Sequence, residues 1–100
     1  KHVVLFKFKD NTPQEEVDEL VAGYKALPAR IEVMKHFEWG PDISVEDLHQ
    51  GFTHCFITTF EDTAGRDAYI PHAAHQAYVE VLLPHLDQLL VVDFAPQVVK

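Results

Sequence analysis

Sulfur is almost missing from this 100-residue chain, which has one methionine and one cysteine, Cys55. A lone cysteine forms no internal disulfide, and the expectation is a reducing compartment, the cytoplasm. Positive charge is scarce too: 8 Lys and Arg stand against 16 Asp and Glu, for a formal net charge of −8 with histidine neutral. A surface of that sign repels polyphosphate and anionic lipid, so neither nucleic acid nor a membrane surface is expected as a partner. No apolar run approaches the ~20 residues that cross a bilayer. Lys7 and Lys9 interrupt the short apolar run at the start, so nothing there reads as a signal peptide. Repeats, low-complexity stretches and linkers are lacking as well.

What is present is core-forming material. The 47% hydrophobic share argues against disorder and for one packed domain over residues 1–100. A chain of this size buries only a modest part of its surface, so association through an apolar face would help it.

Residues 2–8 alternate as a strand, with His2, Val4, Phe6 and Phe8 on one face and Val3, Leu5 and Lys7 on the other. Thr12-Pro13-Gln14-Glu15 then reads as a helix start, with Thr12 as cap and Glu15 reaching back. Val17, Leu20, Val21, Tyr24 and Leu27 follow at helical spacing up to Pro28. A second strand is expected over 32–39, stopped by Gly40-Pro41. After a long connection with a helical turn at Ser44, a third strand runs over 52–60. A helical region covers 63–83 and a last strand 89–94. The order β-α-β-β-α-β is best solved by one four-stranded antiparallel sheet with both helices on one face, the ferredoxin-like α+β arrangement. The other face then carries Val3, Leu5, Cys55 and Ile57 with nothing to cover it. A second copy through that helix-free face would close the dimeric α+β barrel.

The stretch "YIPHAAH", residues 69–75, concentrates the chemistry. Pro71 disfavours the helical conformation at Ile70 and lacks an amide hydrogen, so the helix should break near 70 and restart at Pro71 or His72. After the restart, His75, Tyr78, Val79 and Leu82 share the stripe that faces the sheet. On an unbroken helix Tyr69 and His75 would point ~120° apart; the break lets both turn into one cavity, with the phenol as the imidazole's partner. The bland reading of this pair is a buried polar contact that holds the break. The functional reading is a general base beside a phenol. Topology brings His2 to the same place and puts His54 toward the opposite end of the sheet. His72 and His75 have the i, i+3 spacing of two metal ligands, but no carboxylate or thiolate cluster completes a set, so no metal is expected.

The segments "KHVVLFKFKD", "MKHFEWGPDIS", "GFTHCFITTFED", "YIPHAAH" and "LLVVDFAP" together resemble the stress-responsive A/B barrel family over nearly the whole length. The resemblance implies a dimeric α+β barrel. The family includes a plant polyketide cyclase that closes a linear poly-β-ketoacyl thioester by intramolecular aldol condensation, without metal or organic cofactor. It also includes heat-stable stress proteins with no assigned reaction. By motif, the cyclase's acid–base pair falls on Tyr69 and His75. Its substrate-contacting groups fall on His2, Tyr24 and His54, joined by His72 and by the pocket positions Val21, Phe56 and Leu86. The implied ligand is an apolar or polyketide small molecule. The alternative is a non-catalytic stress protein whose cavity is vestigial or binds a ligand. Two departures from the family pattern stand out: Pro71 precedes His72, where the family commonly has proline after the histidine, and "GFTH" replaces "GYTH".

Overall fold

The computed structural model describes residues 1–99. The chain runs β1 (His2–Phe8), α1 (Gln14–Ala26), β2 (His36–Pro41), β3 (His54–Thr59), α2 (Thr63–Tyr69), α3 (Ala73–Leu82) and β4 (Leu86–Asp93). The four strands form one antiparallel sheet in the order β2-β3-β1-β4, so the fold is ferredoxin-like, with α2 and α3 together filling the place of the second helix.

Alternation along β1 and β3 decides where the core lies. Val4, Phe6, Phe56 and Thr58 are at most 5% exposed and face the helices, together with Val17, Leu20, Val21 and Tyr24 of α1. Val3, Leu5, Cys55 and Ile57 point to the opposite face and stay half-buried, and among the described residues no helix lies over them. Leu90 and Val92 on β4 are 42% and 50% exposed.

Four local expectations are corrected. The Thr12 hydroxyl donates to the Lys9 carbonyl at 2.6 Å instead of capping α1; Pro13 takes the cap position, and its carbonyl accepts from Glu16 and Val17. Residues 32–34 are not strand. The chain leaves α1 through a 3₁₀ turn, Leu27–Ala29, and Met34 N–H closes a further turn on the Ile31 carbonyl, because Ile31 and Met34 are drawn into the core. Accordingly β2 begins at His36 and runs through Gly40 and Pro41, which an edge strand tolerates because one side of its backbone needs no partner. After Ser44 there is no helical turn: Ser44 donates from both its amide and its hydroxyl to the Asp42 carboxylate, which sets a bend instead. The last strand starts at Leu86, earlier than its apolar run suggests, because the antiparallel ladder with β1 carries Asp87 and Gln88 along.

Candidate functional site

The helix break falls where Pro71 puts it. α2 ends at Tyr69, and α3 begins at Ala73 with His72 as its cap, one residue later than expected. His72 Nδ1 accepts from the Ala74 amide at 3.1 Å, which satisfies one of the free donors of a helix start. This occupies His72 at the helix end, and it does not line the cavity described next.

A cavity of about 310 Å³ opens between the sheet, α1 and α3. Its polar lining comes from His2, Tyr24, Tyr69, His75 and Tyr78; Val4, Phe6, Val79, Leu82, Leu89 and Val91 supply most of the rest. Among the described residues no lysine, arginine or carboxylate lines it. Tyr69 is 1% exposed, and its ring centroid lies 4.2 Å from that of His75 at a 35° tilt. The two rings are therefore in face contact, and the hydrogen-bond partner of His75 is a different group. His75 Nδ1 lies 2.8 Å from the Ile70 carbonyl oxygen, across the break. A carbonyl only accepts, so Nδ1 carries the proton and Nε2 of the neutral ring carries the lone pair.

Electrostatics favour that protonation state. Partial burial pulls the His75 pKa below the ordinary value; the Ile70 bond opposes it and is outweighed, and the proximity of the His2 and His72 imidazoles acts in the same direction as burial. The Tyr69 phenol is pushed far above its usual range, by burial first and by the neighbouring Tyr24 next. It remains a donor at every physiological pH. Burial also raises Tyr24 and Tyr78. Tyr78 is committed to structure: its hydroxyl donates to the Leu20 carbonyl at 2.6 Å, and its ring lies on α1 where Gly23 leaves room.

The topology also brings His2 to the cavity. It is 6% exposed, sits edge-on to Tyr69 at 5.6 Å, and places Nδ1 2.8 Å from the Asp93 carboxylate. Residue spacing offers no reason to single out Asp93, since the contact depends on the register of β1 against β4.

The remaining expected site residues lie elsewhere. Phe56, Val21 and Leu86 are buried in the core outside the cavity wall; Tyr24 stacks on Phe56 and Phe6 lies tilted against it, both at 4.6 Å, and these two rings line the cavity in its stead. His54 is at the far end of the sheet, as the topology requires. It stacks on Trp39 and lines a second, larger hollow of about 360 Å³ beneath the 42–52 connection, on the side of Leu5, Cys55 and Leu90. That hollow holds neither Tyr69 nor His75. Among the described residues no group of three or more His, Cys, Asp or Glu is placed to hold a metal, and no helix is long and apolar enough to cross a membrane.

Residues 1–96 match the model of the Stress responsive A/B Barrel Domain. The chain belongs to this family. It is 47% identical over 96 residues to the stress-response A/B barrel domain-containing protein HS1 of Arabidopsis thaliana, covering 96% of this chain and 88% of the relative. It is 32% identical over 97 residues to olivetolic acid cyclase of Cannabis sativa, covering 97% and 96%. Among solved structures, one of an Arabidopsis thaliana protein superposes with a TM-score of 0.94 at 45% identity, covering 99% of this chain and 96% of the other. Hydroxynitrile lyase from Passiflora edulis superposes at 0.85 with 27% identity, covering 91% and 86%. A dimeric ferredoxin-like protein from Jannaschia superposes at 0.81 with 26% identity, covering 95% and 96%.

Proposed function

We propose that the cavity is a cofactor-independent acid–base site, and that its reaction is the intramolecular aldol cyclisation of a linear poly-β-ketoacyl thioester. The observation that carries this reading is the bond from His75 Nδ1 to the Ile70 carbonyl, which leaves Nε2 unprotonated in an apolar cavity next to a permanently protonated phenol. His75 Nε2 removes the acidic proton from a carbon between two carbonyls. The carbanion attacks a distant carbonyl of the same chain, forming the ring C–C bond. Tyr69 donates a hydrogen bond to the oxygen on which charge develops, and His75 returns its proton to that oxygen. No atom is gained or lost in this step. The apolar walls fold the chain so that its reacting carbons meet, which replaces an improbable encounter by a preset geometry.

The test is to incubate the purified protein with a polyketide synthase and starter thioesters of several lengths. A cyclised product that depends on the protein is the expected result, detected as the aromatic acid once the aldol adduct has lost water and its thioester has been hydrolysed to acid and free thiol. Product profiles unchanged at every length would overturn the reading. The likeness to an olivetolic acid cyclase supports a cyclising reaction, and the likeness to a hydroxynitrile lyase supports an enzymatic use of this fold.

A second reading is favoured by the same bond: a side chain that ties two helices together across a break has a structural task of its own. On this reading the chain is a stress-response protein like its 47%-identical relative, and the cavity holds a ligand without transforming it. An unaltered stress phenotype on replacing the endogenous protein with Tyr69→Phe/His75→Asn would favour it. On either reading two copies associate through the helix-free face, where Val3, Leu5, Cys55, Ile57, Leu90 and Val92 lack cover, in keeping with the dimeric ferredoxin-like neighbour.

A further inference from the structure

The last strand is apolar on both faces and finished on neither. Four consecutive residues of β4, Leu89, Leu90, Val91 and Val92, are 42%, 42%, 46% and 50% exposed. Their neighbours across the ladder sort them by face. Leu89 and Val91 pair with Phe6 and Val4 on the helix side, and both line the cavity. Leu90 and Val92 pair with Leu5 and Val3 on the helix-free side, and Leu90 also lines the second hollow. β4 stands at one edge of the sheet, and among the described residues β1 is its one ladder partner. The strand is tied just outside its two ends: the Lys9 amide donates to the His85 carbonyl and the Phe94 amide to the Lys1 carbonyl, both at 2.9 Å. Between those ties its aliphatic side chains are half open to water on either side. An edge strand with so little cover opens more easily than the strands inside the sheet, and natural proteins cover such edges.

We propose that β4 couples the cavity to the assembly: a ligand on one face and a second copy on the other hold the same strand, so each strengthens the binding of the other. The ligand is an uncharged molecule whose apolar part lies against Leu89 and Val91, in keeping with a lining that carries no lysine, arginine or carboxylate among the described residues. The second copy buries Leu90 and Val92 and orders the strand from behind. A ligand that arrives afterwards meets a wall already ordered and loses less entropy in fixing it. Linkage makes the effect reciprocal. A symmetric dimer has two cavities, so a ligand held more tightly by the dimer lowers the dimer dissociation constant by the square of that ratio. This coupling rests on the cavity and on the sheet-face dimer of the reading above, but it needs no turnover. An inert protein can show it and an active one can lack it, so the two fail separately.

Prodan, an uncharged aromatic ketone, serves as the probe; its fluorescence reads affinity and ¹H–¹⁵N shifts locate it. Shifts at Leu89, Val91 and His75 are expected. The native dimer should bind prodan about fivefold or more tightly than Ile57→Arg, a variant altered on the opposite face and expected to be monomeric. Saturating prodan should lower the native dimer dissociation constant by the square of the measured ratio, about 25-fold for a fivefold preference, as read by sedimentation. Amide exchange over residues 89–92 should slow with prodan alone and with the second copy alone. Equal affinities in dimer and monomer, a dimer constant indifferent to prodan, a native chain that never dimerises, or no binding beside Leu89 would overturn the proposal whatever the enzymology shows. If Ile57→Arg fails to fold, native protein diluted below its dimer dissociation constant supplies the monomer.

Discussion

His75 reaches back over five residues to Ile70, and its Nδ1 donates to the Ile70 carbonyl at 2.8 Å. One ring thus joins two helices through one nitrogen, and the residue also lines the cavity, which leaves its other nitrogen for chemistry. Structure and chemistry can be separated because they use different atoms. Asparagine places a donating amide where Nδ1 stands and has nothing at Nε2. His75→Asn should therefore keep stability within about 0.5 kcal/mol of native, whereas His75→Ala should lose about 1 kcal/mol with the bond. Cyclising activity should fall by about 10²–10⁴ in both. Urea denaturation beside product assays reads the two effects; an active His75→Asn would remove Nε2 from the mechanism.

The direction of the His75 shift fixes a pH dependence. Its folded pKa lies below the ordinary 6.5, with partial burial as the leading cause. The neutral ring is therefore favoured by folding, and that contribution is present in full above 6.5. It is lost as the pH falls from there through the folded value, since the unfolded chain takes up the proton first. The base form likewise survives to lower pH than in a free histidine. The acid limb of activity should lie below 6.5 in native protein, and the imidazole's own titration by NMR should coincide with it. A limb above 7 would assign activity to another group.

Much of this site was legible in the sequence, and the reason is Pro71. A proline inside a helical pattern fixes a break, and a break is what lets residues six apart share a cavity. The spacing of His75, Tyr78 and Leu82 put the imidazole on the inner stripe, and strand order put His2 beside Tyr69. The bonding partners were not legible. The Ile70 carbonyl leaves no signature in side-chain spacing, and Asp93 meets His2 only through the register of β1 against β4. The positions expected to shape the pocket lie outside its wall for a packing reason: Tyr24 and Phe6, which do line it, cover Phe56 at 4.6 Å, and Val21 and Leu86 are buried in the core. The second strand was displaced because the apolar residues near 31–34 suit a strand pattern as well as the buried turn they form.

Tyr78 and Gly23 make a packing prediction independent of chemistry. A Cβ on Gly23 would stand 2.9 Å from Tyr78 Cε1 and 3.2 Å from Cδ1, so α1 and α3 meet only because residue 23 has no side chain. The ring cannot retreat without breaking its bond to the Leu20 carbonyl. Gly23→Ala should therefore destabilise by about 1–3 kcal/mol despite the better helix propensity of alanine. Tyr78→Leu in the same background should recover part of the loss. A Gly23→Ala midpoint at or above native in urea would show that the helices slide freely.

Thr58 predicts the opposite sign. Its side chain is fully buried, and its hydroxyl lies near the Tyr24 phenol without reaching hydrogen-bond geometry. Valine has nearly the same shape and no group to desolvate. Thr58→Val should leave stability unchanged or raise it by up to about 1 kcal/mol. A loss above that amount in thermal or urea unfolding would mean that the hydroxyl is bonded in solution, with bound water as the candidate partner.

The helix-free face sets the last prediction. Ile57 stands near the middle of it, paired across the sheet with Val3 on β1 and Glu38 on β2. It does not line the cavity and points to the opposite face of the sheet, so a change there separates assembly from the site. An arginine at this position would have to be desolvated against the same residue of a second copy in a symmetric sheet-on-sheet contact, where like charges meet. Ile57→Arg should therefore sediment as a monomer at micromolar concentration where the native chain sediments as a dimer. It should also unfold at lower temperature, because the apolar strip from Leu5 to Val92 is returned to water. A native chain that is monomeric throughout the range, or an Ile57→Arg protein that still dimerises, would place the interface elsewhere.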